Sequence, residues 1–155
     1  MMHTVYFGLG SNTGDRRKNL QSAISEIEKK IGRVTRQSDM IVTEPQGFIS
    51  RNQFLNMAVC VETDVRAEDI LDITQAIERK LGRTQKSVNG IYHDRKIDID
   101  ILVFDDVCIN SPRLTIPHPR IAQRRFVLQP LAQIAPDLII PGKTQTIAAL
   151  LAQTS

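Results

Sequence analysis

Only two cysteines occur in the 155 residues, Cys60 and Cys108. They form no Cys-x-x-Cys pair and both fall in strand-like runs, which argues against a disulfide framework or a zinc site; two buried, reduced thiols are expected. Long apolar runs are missing too. Stretches such as Met57 to Val61 fall far short of the roughly 20 residues that cross a bilayer, and the opening Met-Met-His-Thr has no signal-peptide pattern. A cytoplasmic protein with no membrane partner is therefore expected. There is no internal repeat, low-complexity tract or Pro/Gly/Ser-rich linker, so residues 1–155 are expected to form one domain. No Gly-Lys-Ser/Thr is present, which removes a P-loop. Gly8-Leu9-Gly10 follows a strand-like run, but the third glycine is Gly14 and no parallel strand with a terminal acid follows, so a dinucleotide fingerprint is excluded. These glycines are read as permitting a tight turn.

What is present is an ordinary globular composition, 41% hydrophobic and 24% charged, with a formal net charge of +3 that suits an anionic partner. Thr4 to Leu9 reads as a strand. The Gly10 to Gly14 loop leads into a helix from about Asp15 to Ile31, with Leu20, Ala23, Ile24, Ile27 and Ile31 at helical spacing. Gly32 is expected to stop it as a left-handed cap. Val34 to Thr43 reads as one strand and Gln53 to Glu62 as another, with Leu55, Met57, Val59 and Val61 on one face and Phe54 and Asn56 on the other. A second helix over Ala67 to Leu81 carries Ile70, Ile73, Ile77 and Leu81 on one side, with Gln75 and Glu78 neighbours on a more polar side. Arg83 to Lys96 is long, charged and aperiodic, as in a surface loop. Asp105-Asp106 is expected to turn into a short hairpin partner, Val107 to Ile109, and Phe126 to Ala135 to be helical despite Pro130. The order strand, helix, strand, strand, helix, strand is the split βαβ arrangement: an α+β fold with an antiparallel sheet and helices on one face.

The most informative segment runs from Arg95 to Phe104. Its alternation puts Ile97, Ile99, Ile101 and Val103 on one face and Asp98, Asp100, Leu102 and Phe104 on the other. Residues two apart on a strand are separated by roughly 7 Å, so both carboxylates can reach one hard cation or clamp a pair. Such an Asp-x-Asp can also be a solvated sheet face; Asp is disfavoured in strands, however, and this face is not uniformly polar. Downstream, Arg113, Arg120, Arg124 and Arg125 surround Pro117-His118-Pro119. Planar guanidinium groups suit polyphosphate oxygens beside metal-bound aspartates.

Taken in order, Gly10-Ser11-Asn12, Thr43-x-Pro45-x-Gly47, Phe54-Leu55-Asn56, Gly82-Arg83, Arg95-x-Ile97-Asp98-Ile99-Asp100-Ile101-Leu102 and Pro117-His118-Pro119 resemble the 6-hydroxymethyl-7,8-dihydropterin pyrophosphokinases of folate biosynthesis. The resemblance runs from Thr4 to about Pro141. It implies a ferredoxin-like sandwich and transfer of pyrophosphate from MgATP to the pterin hydroxymethyl group, releasing AMP. It further implies that Asp98 and Asp100 hold two Mg²⁺ ions, and that Arg83 and Arg95 come over the phosphates as the long loop closes. Gln75, Glu78, Ile101, Arg113, Thr115, His118 and Arg124 match nucleotide-binding positions. Phe54 and Phe126 match the rings that sandwich the pterin, Asn56 the amide that reads its edge, and Thr43 and Gln46 positions offering backbone groups. The family's loop often carries Arg-x-Arg and Trp-Gly-Pro-Arg; here Lys86 and Tyr92 stand where the second arginine and the tryptophan are missing. The partners implied are small-molecule substrates, ATP and the pterin; no nucleic-acid partner is expected, and the protein is expected to be a monomer. Two rival readings are weaker. An RNA-binding split βαβ module needs the aromatic Lys/Arg-Gly-Phe/Tyr pattern, which the central strands lack. A metal-dependent nuclease or phosphatase would share the aspartates and arginines but release phosphate or nucleotides.

Overall fold

Alternating apolar side chains on three strands and apolar stripes on two helices meet in one core, and a second set of helices closes the opposite side of the same sheet. The computed structural model describes residues 1–43, 53–82 and 96–154. Its elements are β1 (His3–Ser11), α1 (Arg16–Lys30), β2 (Arg33–Gln37), β3 (Ile41–Thr43), β4 (Phe54–Thr63), α2 (Ala67–Lys80), β5 (Asp98–Phe104), β6 (Ile109–Asn110), β7 (Thr115–Ile116), a single 3₁₀ turn (Ile121–Gln123), α3 (Arg125–Ile134) and α4 (Ile147–Gln153). The sheet order is β2-β4-β1-β5, every pairing is antiparallel, and β3 also pairs with β4. With the crossovers through α1 and α2, this is the split βαβ topology of a ferredoxin-like fold.

On one face, Leu20, Ala23 and Ile27 of α1 and Ile70 and Ile77 of α2 pack on Val5, Phe7, Leu9, Leu55, Met57, Val59, Val61, Ile97, Ile99 and Ile101. On the other face, Leu128, Leu131 and Ile134 of α3 and Ile147 and Leu150 of α4 pack on Tyr6, Ala58, Cys60, Leu102 and Val103. The sheet is therefore covered on both sides, not one, because the apolar residues after position 120 form a second helical layer. Polar groups fasten each layer. Glu26 on α1 receives Lys80 of α2 at 2.9 Å and Lys30 at 3.0 Å, and these cations hold its carboxyl down at about 2. Opposite, the Arg36 guanidinium donates to the Ile134 carbonyl and, at 3.2 Å, to the Tyr6 hydroxyl, tying β2 to α3 and β1. Burial and the neighbouring Cys60 push that hydroxyl above its ordinary pKa, against the lowering effect of Arg36.

Local chemistry sets the helix ends. The Asp15 side chain accepts the Lys18 N–H at 3.1 Å at the start of α1, and Thr146 caps α4 through the Ala149 N–H at 3.1 Å. Glu68 and Asp69 in the first turn of α2, with Arg79 and Lys80 in its last, complement the helix dipole. Pro130 is accommodated within α3.

Six sequence expectations are corrected. Gly32 is not left-handed; it is small because a Cβ there would lie 2.1 Å from the Glu62 carbonyl oxygen, where the end of α1 crosses β4. The strand expected over Val34 to Thr43 is two strands, interrupted at Ser38, whose hydroxyl accepts the Ala58 N–H at 2.8 Å. Gly8 and Gly10 lie inside β1, not in a turn. The turn at Asp105-Asp106 does not return the chain to β5; β6 pairs with β7 instead. Cys60 is buried as expected, but Cys108 is exposed. Finally, the alternation of β5 slips. Tyr6 pairs with Val103 and Phe7 with Ile101, leaving Leu102 as the extra residue of a bulge. Phe104 thus joins the α1/α2 core and Val103 the α3/α4 core, the reverse of regular alternation.

Candidate active site

Strand register assembles the polar residues at one end of the sheet. Gly10, near the end of β1, pairs with Asn56 of β4 on one side and Asp98 of β5 on the other. Two residues back, Gly8 pairs with Ala58 and Asp100. Adjacent strands lie about 4.8 Å apart, so the row Asn56, Gly10, Asp98 sets an amide and a carboxylate roughly 10 Å apart across a residue with no side chain. Because Ile97, Ile99 and Ile101 enter the α1/α2 core, alternation points Asp98 and Asp100 to the opposite face, as the sequence reading requires.

The amide is tightly held. Asn56 is buried, and its Nδ2 donates to the Thr43 hydroxyl at 2.6 Å. Thr43 itself pairs with Phe54 across β3 and β4. Beside them, Ser11 and Asn12 are buried, and Asn19 of α1 donates to the Ser11 hydroxyl at 3.2 Å and the Thr13 carbonyl at 3.0 Å. Arg16 reaches back to the Gln53 carbonyl at 2.8 Å, closing the start of β4 against α1.

The carboxylate strand is anchored from outside the sheet. One oxygen of Glu78, a buried residue of α2, accepts the Ile99 N–H at 2.8 Å, between the two aspartates. A second attachment is the Leu102 carbonyl, freed by the bulge, which accepts the His118 N–H at 3.0 Å. His118 is half-buried, and its Nδ1 accepts the Arg120 N–H at 3.3 Å. Burial first, then the charge of Arg124, lowers its pKa, while Asp98 acts to raise it. The imidazole thus sits in the fields of both Arg124 and Asp98. Arg124 in turn lies over the Phe126 ring, 5.5 Å from its centroid, at the start of α3.

The expected residues divide as follows. Asp98, Asp100, Asn56, Thr43, Phe54, His118, Arg124 and Phe126 are linked by the register and contacts just given. Gln75 lies half-buried on α2 one turn before Glu78. Arg113 is paired with Asp72 of α2, and Thr115 is exposed on β7. The Ile101 side chain lies in the α1/α2 core, which leaves its backbone as the part able to face a nucleotide. Arg83, Lys86, Tyr92, Arg95 and Gln46 lie outside the described residues. Sequence reasoning missed the part played by Gly10 and the partner of Glu78. A glycine inside a strand signals close approach by another group, and that signal was available for Gly10.

The chain is similar to known proteins. Residues 6–136 match the family described as 7,8-dihydro-6-hydroxymethylpterin-pyrophosphokinase (HPPK). The 2-amino-4-hydroxy-6-hydroxymethyldihydropteridine pyrophosphokinase of Porphyromonas gingivalis is 49% identical over 138 residues, which cover 88% of this chain and 94% of that one. Its Bacillus subtilis counterpart is 41% identical over 135 residues, 86% of this chain and 79% of that one. A crystal structure of Plasmodium falciparum HPPK-DHPS superposes with a TM-score of 0.83 at 17% identity; it covers 99% of this chain, which spans 45% of that longer one. The chain belongs to the 7,8-dihydro-6-hydroxymethylpterin-pyrophosphokinase family.

Proposed function

We propose that this protein transfers pyrophosphate from ATP to the hydroxymethyl group of 6-hydroxymethyl-7,8-dihydropterin, releasing AMP, as a step of folate biosynthesis. It is an ATP-dependent diphosphotransferase of its family. The observation that carries the assignment to particular residues is the cross-strand row of Asn56, Gly10 and Asp98. With Asp100 two residues along β5, this row puts an amide and two carboxylates on one face of one sheet, which supports reading Asn56 as a heterocycle contact and the aspartates as metal ligands.

Asp98 and Asp100 fit magnesium by the chemistry of their donors. They are hard oxygen ligands on one strand face, and the described residues contain no cluster of three or more potential metal-binding side chains. Mg²⁺ commonly takes one or two carboxylates and completes its shell with water and substrate phosphates. We assign two ions to this pair; when bound, they neutralise triphosphate charge at the transferring group. Glu78 and the Leu102 carbonyl hold the strand that carries the aspartates. With Nδ1 accepting a backbone N–H, neutral His118 keeps its proton on Nε2 and donates from there to an anionic oxygen. Arg124 and Arg113 supply further charge for phosphate, as do Arg83, Lys86 and Arg95, with Tyr92, Gln75, Thr115 and the Ile101 backbone completing the nucleotide site. Phe54 and Phe126 stack on the pterin, the Asn56 amide reads its edge from the plane fixed by Thr43, and the Gln46 backbone adds a contact. No covalent protein intermediate is required, because positioning and charge neutralisation lower the barrier.

We assign the activity to the whole chain as one domain, acting as a monomer in the cytoplasm on two small diffusible substrates. No helix among the described residues is long and apolar enough to cross a membrane. The test is AMP formation from MgATP with and without the pterin. AMP should form only when both are present. Phosphate or nucleotide release independent of pterin would redirect the assignment to a hydrolase.

A further inference from the structure

We propose that Gly10 is a positioning residue for pterin recognition: its missing side chain is the space in which the Asn56 amide lies. The inference rests on the reading of Asn56 given above and extends it to a residue that has no side chain of its own. Gly10 sits within β1, and its φ is not in the left-handed region, so backbone freedom does not account for a glycine here. Space does. A Cβ on Gly10 would stand 2.6 Å from Asn56 Oδ1 and 3.5 Å from the Phe54 ring. The first distance is a collision and the second an ordinary contact. The requirement is local, because the atoms nearest a Cβ on Gly8 would be those of the Leu102 side chain, at 3.5 Å, an ordinary contact.

The colliding atom belongs to a side chain, so the fold can survive by moving the amide. The amide, however, has no compliant direction. Asn56 is 8% exposed and bonded on its other side to Thr43 at 2.6 Å. Turning the oxygen away from position 10 strains or breaks that bond and alters the plane in which the amide meets a ligand. The effect should fall on the pterin and spare ATP, none of whose proposed partners belongs to β1, β3 or β4.

The experiment compares Gly10→Ala, Asn56→Ala and the double variant, measuring by calorimetry the affinity for the pterin and for a non-hydrolysable ATP analogue, together with melting temperature. Gly10→Ala should weaken the pterin about tenfold or more, with analogue affinity held within about twofold. In the Asn56→Ala background the same substitution should add less than about twofold, because the colliding atom is gone. Equal losses for both ligands, or pterin affinity unchanged in Gly10→Ala while Asn56→Ala loses it, would overturn the inference alone. Unchanged pterin affinity in Asn56→Ala would overturn the reading on which it rests. Should Gly10→Ala fold poorly, recovery of the melting temperature in the double variant supports a clash with the amide; no recovery assigns the glycine to the backbone and rejects the proposal.

Discussion

Removing the Glu78 carboxylate offers a way to separate the architecture of the site from ligand binding. Glu78 is 7% exposed, and its Oε2 accepts the Ile99 N–H at 2.8 Å. In Glu78→Ala that buried donor loses its charged partner. A hydrogen bond to a charged group contributes about 1.5–3 kcal/mol, and leaving a buried donor unsatisfied costs a similar amount, so the loss should be about 2–3 kcal/mol. For a chain of this size each kcal/mol moves the melting temperature by about 2–4 °C, which predicts a fall of about 5–10 °C. Glu78→Gln keeps an acceptor oxygen without the charge and should fall by less than half as much. The measurement is thermal unfolding by circular dichroism with no nucleotide, pterin or metal present, where a residue that serves only to touch ATP would change nothing. Turnover should drop in the same order, since Ile99 lies between Asp98 and Asp100. A ligand-free Glu78→Ala that melts within about 2 °C of the parent, the range of an ordinary surface substitution, would refute the anchoring argument.

Other outcomes follow from the same geometry. Asp98→Asn and Asp100→Asn should each cost at least about 3 kcal/mol of transition-state stabilisation, roughly a hundredfold in rate, with folding intact; near-normal turnover of either at saturating Mg²⁺ would rule out the carboxylate pair. Phe54→Ala or Phe126→Ala should weaken pterin by about 1–3 kcal/mol and leave ATP nearly unaffected, and calorimetry showing equal loss of both ligands would return these rings to a packing role. The Glu26 carboxyl is lowered from 4.5 to about 2 by its lysines. An unfolded chain therefore takes up this proton first on acidification. The stabilisation is fully present above about pH 4.5 and declines as pH falls towards 2. Urea titrations should show Glu26→Gln losing that part of the acid dependence, and an identical pH profile for parent and variant would contradict it.

Regular periodicity was readable in the sequence, and departures from it were not. Ile97, Ile99 and Ile101 alternate with Asp98 and Asp100, so the carboxylate face followed directly from period two, as did Phe54 and Asn56 opposite Leu55 and Met57. The α1 and α2 stripes were equally plain. The interruption at Ser38 was hidden, because it depends on a hydroxyl meeting the backbone of β4, twenty residues away. Gly32 looked like a cap because glycine after a helix usually is one, whereas here the Glu62 carbonyl decides. The second helical layer escaped a reading that placed helices on one face, since α3 and α4 follow the βαβ units and nothing local says which side they take. Glu78 and Gln75 were legible as a polar side of α2, but only the packed structure shows the carboxylate reaching the β5 backbone. Pairing of Arg113 with Asp72 is likewise a long-range meeting that spacing does not reveal.

The bulge at Leu102 joins two functions of β5 that a regular strand would keep apart. Up to Ile101 the strand presents acids on one side and isoleucines on the other; beyond it the sides exchange. The extra residue turns one carbonyl outward, and the segment bearing His118 fastens there. Counting residues thus matters more at this point than choosing them. A leucine-to-methionine change at 102 should be absorbed by the α3/α4 core. Deleting the residue would restore simple alternation with Val103 and Phe104 kept in the layers they now occupy, yet it would remove the carbonyl to which the histidine segment is attached while leaving every acid and base in the chain.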